Sequence, residues 1–222
     1  MEVKIIEAID SEDYKSLSNL IKSGLDPNIK LINNLTPLHY AALKDVEQMV
    51  SFLIENGAGV NSCDKDGDTP LHYAASSNAM EAVRLLLKSK ANPNARCNDG
   101  DTPLHYAAKF DSFQAAKALI DNGADLCAKD NEGNEPLHVA ARENADYMVQ
   151  LLIKAGSDIN TRGKDGNTPL HFASFDNPPQ MAALLIKLGA DKSVRNNYGK
   201  TPLDLANEDN NEEVVRLLKR PT

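Results

Sequence analysis

The sequence predicts an all-α fold, a solenoid of stacked helix-turn-helix units. A Thr-Pro-Leu-His cassette or a close variant recurs six times at a fixed step of 33 residues. Each cassette is followed by a second segment with apolar residues at helical spacing. Because such a period requires one supersecondary unit copied without insertions, neighbouring units are expected to stack. The cassettes begin at Thr36, Thr69, Thr102, Glu135, Thr168 and Thr201.

The composition excludes several classes of function. The 222 residues carry a net charge of −8, whereas proteins that bind nucleic acid through phosphates need clustered Lys and Arg. No apolar run approaches 18 residues and no Lys/Arg-led apolar segment opens the chain, so neither a membrane span nor a secretion signal is predicted. We expect a cytoplasmic protein, with the nucleus or a host cytosol as alternatives.

Three cysteines, Cys63, Cys97 and Cys127, occupy different places within their units and lack a short Cys-x-x-Cys spacing. Reduced thiols in an intracellular protein fit this pattern best. Residues about one repeat apart are separated by roughly a helix diameter, ~10 Å, so we expect no metal site and no cofactor.

The first helix of each unit is predicted from local chemistry, as the copy at residues 66–99 shows. Asp66-Gly67 forms a turn, Thr69 caps a helix, and Pro70 suits its first position. The helix is expected to end near Asn78, in the left-handed conformation that Asn and Asp tolerate. The matching positions are Asp45, Asp111, Asn144, Asn177 and Asn210.

The second helix is predicted over residues 80–89, where Val83, Leu86 and Leu87 recur at helical spacing. A glycine suited to the position after a helix ends most copies. These glycines are Gly24, Gly57, Gly123, Gly156 and Gly189. A turn and a short extended finger then lead to the next Asp-Gly.

The cassette Thr-Pro-Leu-His-x-Ala-Ala, the run Leu-Leu-x-x-Gly-Ala-Asp and the Asp-x-x-Gly return resemble ankyrin repeats over nearly the whole chain. The resemblance implies helix-turn-helix units with short β-hairpin-like fingers, stacked into a curved solenoid whose concave face is lined by fingers and first helices. It also implies that the five cassette histidines hydrogen-bond within and between units. These are His39, His72, His105, His138 and His171.

The chain is interpreted as a single domain, residues 1–222, made of seven repeats. A degenerate first repeat at 1–33 precedes five internal repeats, and a charged last repeat covers 199–222. The internal repeats are 34–66, 67–99, 100–132, 133–165 and 166–198. Because both ends look polar, we expect a monomer.

Three departures from the repeated pattern carry local predictions. Glu135 replaces the capping threonine, and Lys90 replaces a glycine after a helix. Each is expected to cost about 1 kcal/mol. Cys127 replaces an asparagine that recurs in the turns, so a turn hydrogen bond is expected to be missing there.

No nucleophile, base and orienting group converge in the pattern, so the sequence predicts no enzyme. The sequon Asn34-Leu35-Thr36 is interpreted as accidental, because its threonine is a helix cap. The segment at residues 175–179 is interpreted as a loop that places Pro in a helix's first turn.

Candidate partner-binding positions are those free to differ between units, at the finger tips and the ends of the first helices. Asp68 and Asp101 are the leading candidates, because turn chemistry does not require them. Phe110 and Phe175 stand where the family usually has polar residues. An acidic rim with aromatic residues would suit a partner with an apolar anchor beside Lys or Arg; the alternative is ordinary solvated surface. The candidates are Lys65, Asp66, Asp68, Ser77, Asn98, Asp99, Asp101, Lys109, Phe110, Asn131, Glu132, Asn134, Arg142, Glu143, Lys164, Asn167 and Phe175.

The leading hypothesis is a non-enzymatic scaffold that binds a protein partner, as an adaptor or an inhibitor. An assembly or targeting subunit of an enzyme complex, or a repeat fragment of a larger catalytic polypeptide, is the second hypothesis. The close of the chain just after a capping helix favours a complete domain. A microbial effector that acts on host proteins is the third hypothesis.

Overall fold

The structure is a computed structural model that describes residues 2–175 and 178–220. Within these residues, fourteen α-helices form seven consecutive pairs. The first helices of the pairs are α1 (Glu2–Asp10), α3 (Pro37–Leu43), α5 (Pro70–Ser76), α7 (Pro103–Lys109), α9 (Pro136–Arg142), α11 (Pro169–Phe172) and α13 (Pro202–Glu208). The second helices are α2 (Tyr14–Lys22), α4 (Glu47–Glu55), α6 (Met80–Lys88), α8 (Phe113–Asp121), α10 (Asp146–Ala155), α12 (Pro179–Lys187) and α14 (Glu212–Lys219).

The predicted helix starts and ends are confirmed. Proline is the first residue of α3, α5, α7, α9, α11 and α13, after an extended capping residue such as Thr69 at φ −96° and ψ 165°. Helix α6 covers Met80–Lys88, one residue shorter than the predicted 80–89. Pro178 is the capping residue of α12 and Pro179 is its first residue, as the loop interpretation requires.

The left-handed positions after the first helices are also confirmed. Positive φ angles of 50–57° occur at Asp45, Asn78, Asp111, Asn144 and Asn210. The remaining predicted position, Asn177, lies outside the described residues, as does Asp176. Lys90 has φ 70° where other units place glycine, so its side chain adds the expected strain.

The fingers are turns, and the described residues contain no β-strand. Each finger is nevertheless closed like a hairpin by one backbone hydrogen bond. The Asp64 N–H donates to the Asp68 carbonyl (3.0 Å), and the Asp130 N–H donates to the Asn134 carbonyl (2.9 Å). The hairpin-like part of the prediction therefore applies to the closing bond and not to strand pairing.

The chain divides into two compact units, Met1–Asp125 and Leu126–Thr222. In the first unit, α1, α3, α5 and α7 pack successively, and α2, α4, α6 and α8 form a second row. In the second unit, α9, α11 and α13 pack successively and α12 contacts α14. The assignment of all 222 residues to one domain stays a prediction.

The core of each unit consists of the same positions in the internal repeats. In the first unit Leu38, Leu71 and Leu104 are fully buried on the first helices. In the second unit Leu137 and Leu170 occupy the matching positions, also fully buried. Small alanines beside them, such as Ala74 and Ala140, allow close helix approach. These repeated positions therefore stabilise the stack and are not available to a ligand.

Asparagines in the turns link each repeat to the next. The Asn28 side chain donates to the Gly57 carbonyl (2.9 Å) and accepts from the Gly59 N–H (2.7 Å). Asn94 makes the same pair of bonds to Gly123 and Asp125. Cys127 holds this position in the repeat at residues 100–132, and a thiol lacks the carbonyl oxygen and N–H donors of an amide.

Glu135 does not leave its helix without a cap, which corrects the expectation from sequence. Its backbone N–H donates to His138 Nδ1 (3.0 Å), as at the threonine caps, and the capping-box arrangement is kept. Its buried carboxylate accepts a hydrogen bond from the Thr161 hydroxyl (2.7 Å). The other carboxylate oxygen, Oε2, is buried without a hydrogen-bond partner in the described residues.

Among the described residues, no helix is both long enough and apolar enough to cross a bilayer.

Candidate functional site

The finger tips are held in place by bonds within and between fingers. The Asp64 carboxylate accepts from the N–H groups of Asp66 and Asp68 (both 2.9 Å). The next finger is tied to this one because the Asn98 N–H donates to the Asp66 carbonyl (2.8 Å). In the second unit the Asn197 N–H donates to the Asp165 carbonyl (2.8 Å). Adjacent tips therefore present their side chains at fixed spacing.

The cassette histidines hold the fingers to the first helices. His39 Nδ1 accepts the Thr36 N–H (3.0 Å), so its Nε2 carries the proton and donates to the Asp68 carbonyl of the next finger (3.1 Å). His72 repeats this with the Asp101 carbonyl, and His171 with the Lys200 carbonyl. His138 donates towards the carbonyls of Thr161 and Asn167. The structural role that the resemblance implied is thus present.

Burial keeps these imidazoles neutral. Desolvation lowers the pKa of His39, His72 and His138 to about 4, and it lowers the pKa of His171. Protonation would place a hydrogen on Nδ1, which could then no longer accept the hydrogen bond from the N–H of the capping residue. These groups therefore belong to the scaffold beneath the surface.

A row of tyrosines joins the first helices to the fingers of the first unit. The Tyr73 hydroxyl donates to Asp64 Oδ2, and the Tyr106 hydroxyl donates to Asp68 Oδ2 (both 2.8 Å). The Asp68 side chain is only 7% exposed, and its Oδ1 has no hydrogen-bond partner within the described part. Burial, opposed by the Tyr106 bond, raises the pKa of Asp68 to about 6.

The candidate partner-binding residues differ in their access to solvent. Asp68 and Asn134 are buried, and Asp101 and Asn167 are half-buried. The exposed residues are Lys65, Asp66, Ser77, Asn98, Asp99, Lys109, Phe110, Asn131, Glu132, Arg142, Glu143, Lys164 and Phe175. The acidic surface in the first unit is therefore formed by Asp66 and Asp99, with Asp101 at its edge, and the Asp68 carboxylate lies beneath it.

Both candidate phenylalanines are exposed at the ends of first helices. Phe110 is 54% exposed, packs at 6.3 Å from the Tyr106 ring and has the Lys109 ammonium 5.8 Å from its centroid. Phe175 is 36% exposed and packs at 6.2 Å from the Phe172 ring. Each ring is thus supported from below while one side faces solvent, as an interface anchor requires.

The charged tips of the second unit are partly neutralised. Lys164 Nζ lies 2.6 Å from Glu132 Oε1, and Arg142 Nε lies 3.2 Å from Glu143 Oε1. Both pairs are solvent-exposed, so each contributes little to stability and remains available to a partner's charges.

Sequence reasoning did not single out Tyr198. It is 69% exposed at a finger tip, where the corresponding residues in other fingers are Asp66, Asp99, Glu132 and Asp165. An aromatic residue at a position where the other fingers have four acidic residues and Asn33 is the signal that could have identified it. Its hydroxyl donates to Asp165 Oδ1 (3.1 Å), so its ring lies beside the neighbouring tip.

The cysteines are present as thiols, buried at Cys97 and exposed at Cys63 and Cys127. Burial raises the pKa of the Cys97 thiol, which lowers its nucleophilicity at neutral pH.

A family model described as "Ankyrin repeats (3 copies)" matches residues 5–97, 89–163 and 144–221, which together span nearly the whole chain. A fowlpox virus (strain NVSL) ankyrin repeat protein, FPV219, is 36% identical over 67 residues. That match covers 29% of this chain and only 15% of the length of the viral protein.

Two solved structures are similar over 98% of both chains. The human ASB11 ankyrin repeat domain superposes with a TM-score of 0.85 at 29% identity. The ankyrin repeat domain of Bcl-3, described as a member of the IkappaB protein family, superposes with a TM-score of 0.80 at 28% identity.

Proposed function

Because the chain belongs to the ankyrin repeat family, whose domains are typically protein-binding modules, we propose that it is a non-enzymatic scaffold acting as an adaptor or an inhibitor. The binding surface is formed by the finger tips and the ends of the first helices. One observation carries the proposal: these positions combine exposed aromatic rings with exposed carboxylates, while the repeated residues of the first five cassettes are buried.

The chemistry of this surface suits a partner with a basic patch and an apolar anchor. In the first unit, Asp66 and Asp99 are exposed at finger tips and Phe110 is exposed at the end of a first helix. Carboxylates at a rim steer a basic partner, and a supported ring supplies apolar contact area. The net charge of −8 also attracts a basic partner.

We place this activity in the cytoplasm, with the nucleus or a host cytosol as alternatives, and we expect the protein to act as a monomer. The odd number and unpaired spacing of the cysteines in the sequence support an intracellular site. Sedimentation of the purified protein tests the second point, since a dimer would contradict it.

The experiment that tests the proposal is affinity capture followed by mass spectrometry, with a double variant, Phe110→Ala and Asp99→Lys. Asp99 is chosen because it is exposed, whereas the buried Asp68 and half-buried Asp101 would also report folding. The variant should lose the partner by tenfold or more, as expected for a hot-spot residue, with nearly unchanged melting.

The matched control is Tyr147→Ala with Glu55→Lys, which removes an exposed ring and a carboxylate from second helices. It should keep the partner. Equal capture by both double variants would contradict a finger-tip site in the first unit. Turnover of a small molecule by the purified protein would contradict the non-enzymatic assignment.

A second candidate function, a pathogen protein that acts on host proteins, has one observation in its favour, the match to a fowlpox virus protein. Capture of a protein from a different host organism would support it. Recovery of a catalytic complex would instead indicate an assembly or targeting subunit.

A further inference from the structure

A groove in the second unit, here called the Phe175 groove, lies between the end of the sixth repeat's first helix and the last finger. Its volume is about 380 Å³, within the range of sites that hold a large side chain or small ligand. Its lining includes Phe175, Tyr198, Lys200, Leu205, Glu208 and Asp209.

The floor of the groove is built from satisfied polar groups. The buried Asn196 amide donates to Asn167 Oδ1 (2.8 Å), and its Oδ1 accepts the N–H groups of Tyr198 and Lys200 (both 3.0 Å). A bound side chain would therefore not need to replace a missing hydrogen bond. The shape exists before binding, which lowers the entropy lost on association.

The walls of the groove are aromatic. Phe175 rests on Phe172, which in turn contacts the His138 ring at 5.8 Å. This series of rings fixes Phe175 to the core of the second unit. On the other side, Tyr198 is held by its bond to Asp165. An apolar group that entered between these rings would bury surface that is now exposed.

The two rings are unusual at their positions. Other units have Leu43, Ser76, Lys109, Arg142 and Glu208 in place of Phe175. Four other finger tips have an acidic residue in place of Tyr198, and the first finger has Asn33. Repeat packing therefore requires neither ring, although both belong to the repeat at residues 166–198 and line one groove.

The charges around the groove favour a cation. Lys200 Nζ is paired with Glu208 Oε2 at 2.6 Å, which offsets the only cation of the described lining, and Asp209 adds a further carboxylate. Asp165 lies behind Tyr198. The nearby Arg195 is directed to the Gly199 carbonyl (2.6 Å) and to Asp204. Exposed aromatic faces also attract Lys and Arg.

We infer that the Phe175 groove binds one large apolar side chain of an extended segment in another protein, with a Lys or Arg next to it in that segment. This inference deepens the proposed function and rests on it. Phe175 and Tyr198 would contact the apolar side chain, and Glu208 and Asp209 would face the cation.

The test uses a phage-displayed library of random dodecapeptides selected on the full-length protein. Enriched peptides should share an apolar residue flanked by Lys or Arg. When synthesised, they should bind Phe175→Ala and Tyr198→Ala at least tenfold more weakly than the original protein. The control Tyr147→Ala, which removes an exposed ring outside the groove lining, should bind them normally.

A charge variant separates the two parts of the inference. Glu208→Gln should weaken the basic peptides several-fold, more at low than at high salt, whereas Glu55→Gln should not. Enriched peptides that are acidic, that lack an apolar residue or that bind Phe175→Ala normally would overturn the inference, as would the absence of enrichment. If peptide binding instead depends on Phe110, the proposed function is supported and the Phe175 groove is ruled out as the binding site.

Discussion

The repeat at residues 67–99 and the repeat at residues 133–165 share helix positions and finger bonds but differ at matched side chains. The first has Asp68, Thr69 and Ala91, whereas the second has Asn134, Glu135 and Ser157. Their first helices, α5 and α9, both contain seven residues and follow the same type of cap. The comparison shows that a fixed repeat geometry tolerates different polar groups at buried positions, each with its own consequence for stability.

At the first matched position an amide is better satisfied than a carboxylate. Asn134 Oδ1 accepts the Lys164 N–H (3.0 Å), and its Nδ2 donates to Asp130 Oδ2 (3.3 Å). Asp68 has only the Tyr106 hydroxyl on Oδ2, with Oδ1 buried and unsatisfied in the described part. A buried carboxylate without a full set of donors destabilises its charged form.

Acid is expected to have the largest effect and to act unequally on the two repeats. The folded-state pKa values of His72 and His138 are about 4, below the usual 6.5. The stability from each histidine is therefore fully present above pH 6.5 and is lost as pH falls towards 4. The loss is about 2 kcal/mol per histidine at pH 5.

Asp68 opposes this loss of stability only in the repeat at residues 67–99. Its folded-state pKa of about 6 lies above the usual 3.8, so its contribution is present at low pH and is lost as pH rises through 6. Lowering the pH from 7 to 5 should return about 1 kcal/mol. Amide hydrogen exchange at both pH values should show a larger loss of protection in residues 133–165 than in 67–99. Equal losses would contradict the comparison.

Asp68→Asn should raise the free energy of unfolding at pH 7 by about 1–3 kcal/mol, because the amide can accept from Tyr106 without a buried charge. The gain should fall below about 1 kcal/mol at pH 4, where Asp68 is protonated. Denaturant unfolding at the two pH values measures it. The reverse change, Asn134→Asp, should destabilise at pH 7, and a pH-independent effect of Asp68→Asn would show that charge is not the cause.

The Glu135–Thr161 pair should behave as a coupled unit. The two side chains are hydrogen-bonded. The matching pair in the repeat at residues 67–99 is Thr69 with Ala95. Glu135→Thr alone should raise the free energy of unfolding only slightly, because it leaves the Thr161 hydroxyl without its hydrogen-bond acceptor. Glu135→Thr with Thr161→Ala should gain about 1–2 kcal/mol by removing the unsatisfied buried oxygen. A double-mutant cycle measures the coupling, and additive effects would argue against it.

Ser157→Ala should give the smallest gain, about 1 kcal/mol. The Ser157 hydroxyl is buried and has no hydrogen-bond partner in the described residues. The matching residues are Ala58, Ala91, Ala124 and Ala190. Thermal or denaturant unfolding should show the gain, with Ala91→Ser as the mirror control that loses a similar amount. A neutral Ser157→Ala would mean that water already satisfies the hydroxyl.

Local chemistry was enough to predict the helices and their ends from sequence. Pro70 at a helix start and Asn78 after a helix end act within a few residues of themselves, so their positions could be predicted. The bond from Tyr106 to Asp68 joins residues 38 apart and depends on how repeats stack. Sequence reasoning therefore placed Asp68 at the surface, whereas its carboxylate is buried.

Only part of the candidate site could be predicted from sequence, again because some of its contacts join residues that are far apart in the chain. Phe110 and Phe175 were identifiable because each stands at a position where most other repeats have a polar residue, and both are exposed. Glu135 was interpreted as a lost cap because its partner, Thr161, lies 26 residues away. Aligning the repeats and comparing the Glu135 and Thr161 positions together would have revealed that pair.

The most direct test of the account is a hydrogen-exchange footprint of the protein with its captured partner. The account predicts new protection in the finger tips and at the ends of the first helices, around residues 98–101 and 109–110 or around 164–167 and 198–200. Protection confined to the second helices, α2, α4, α6, α8, α10, α12 and α14, would contradict the claim that partners bind the finger and first-helix surface.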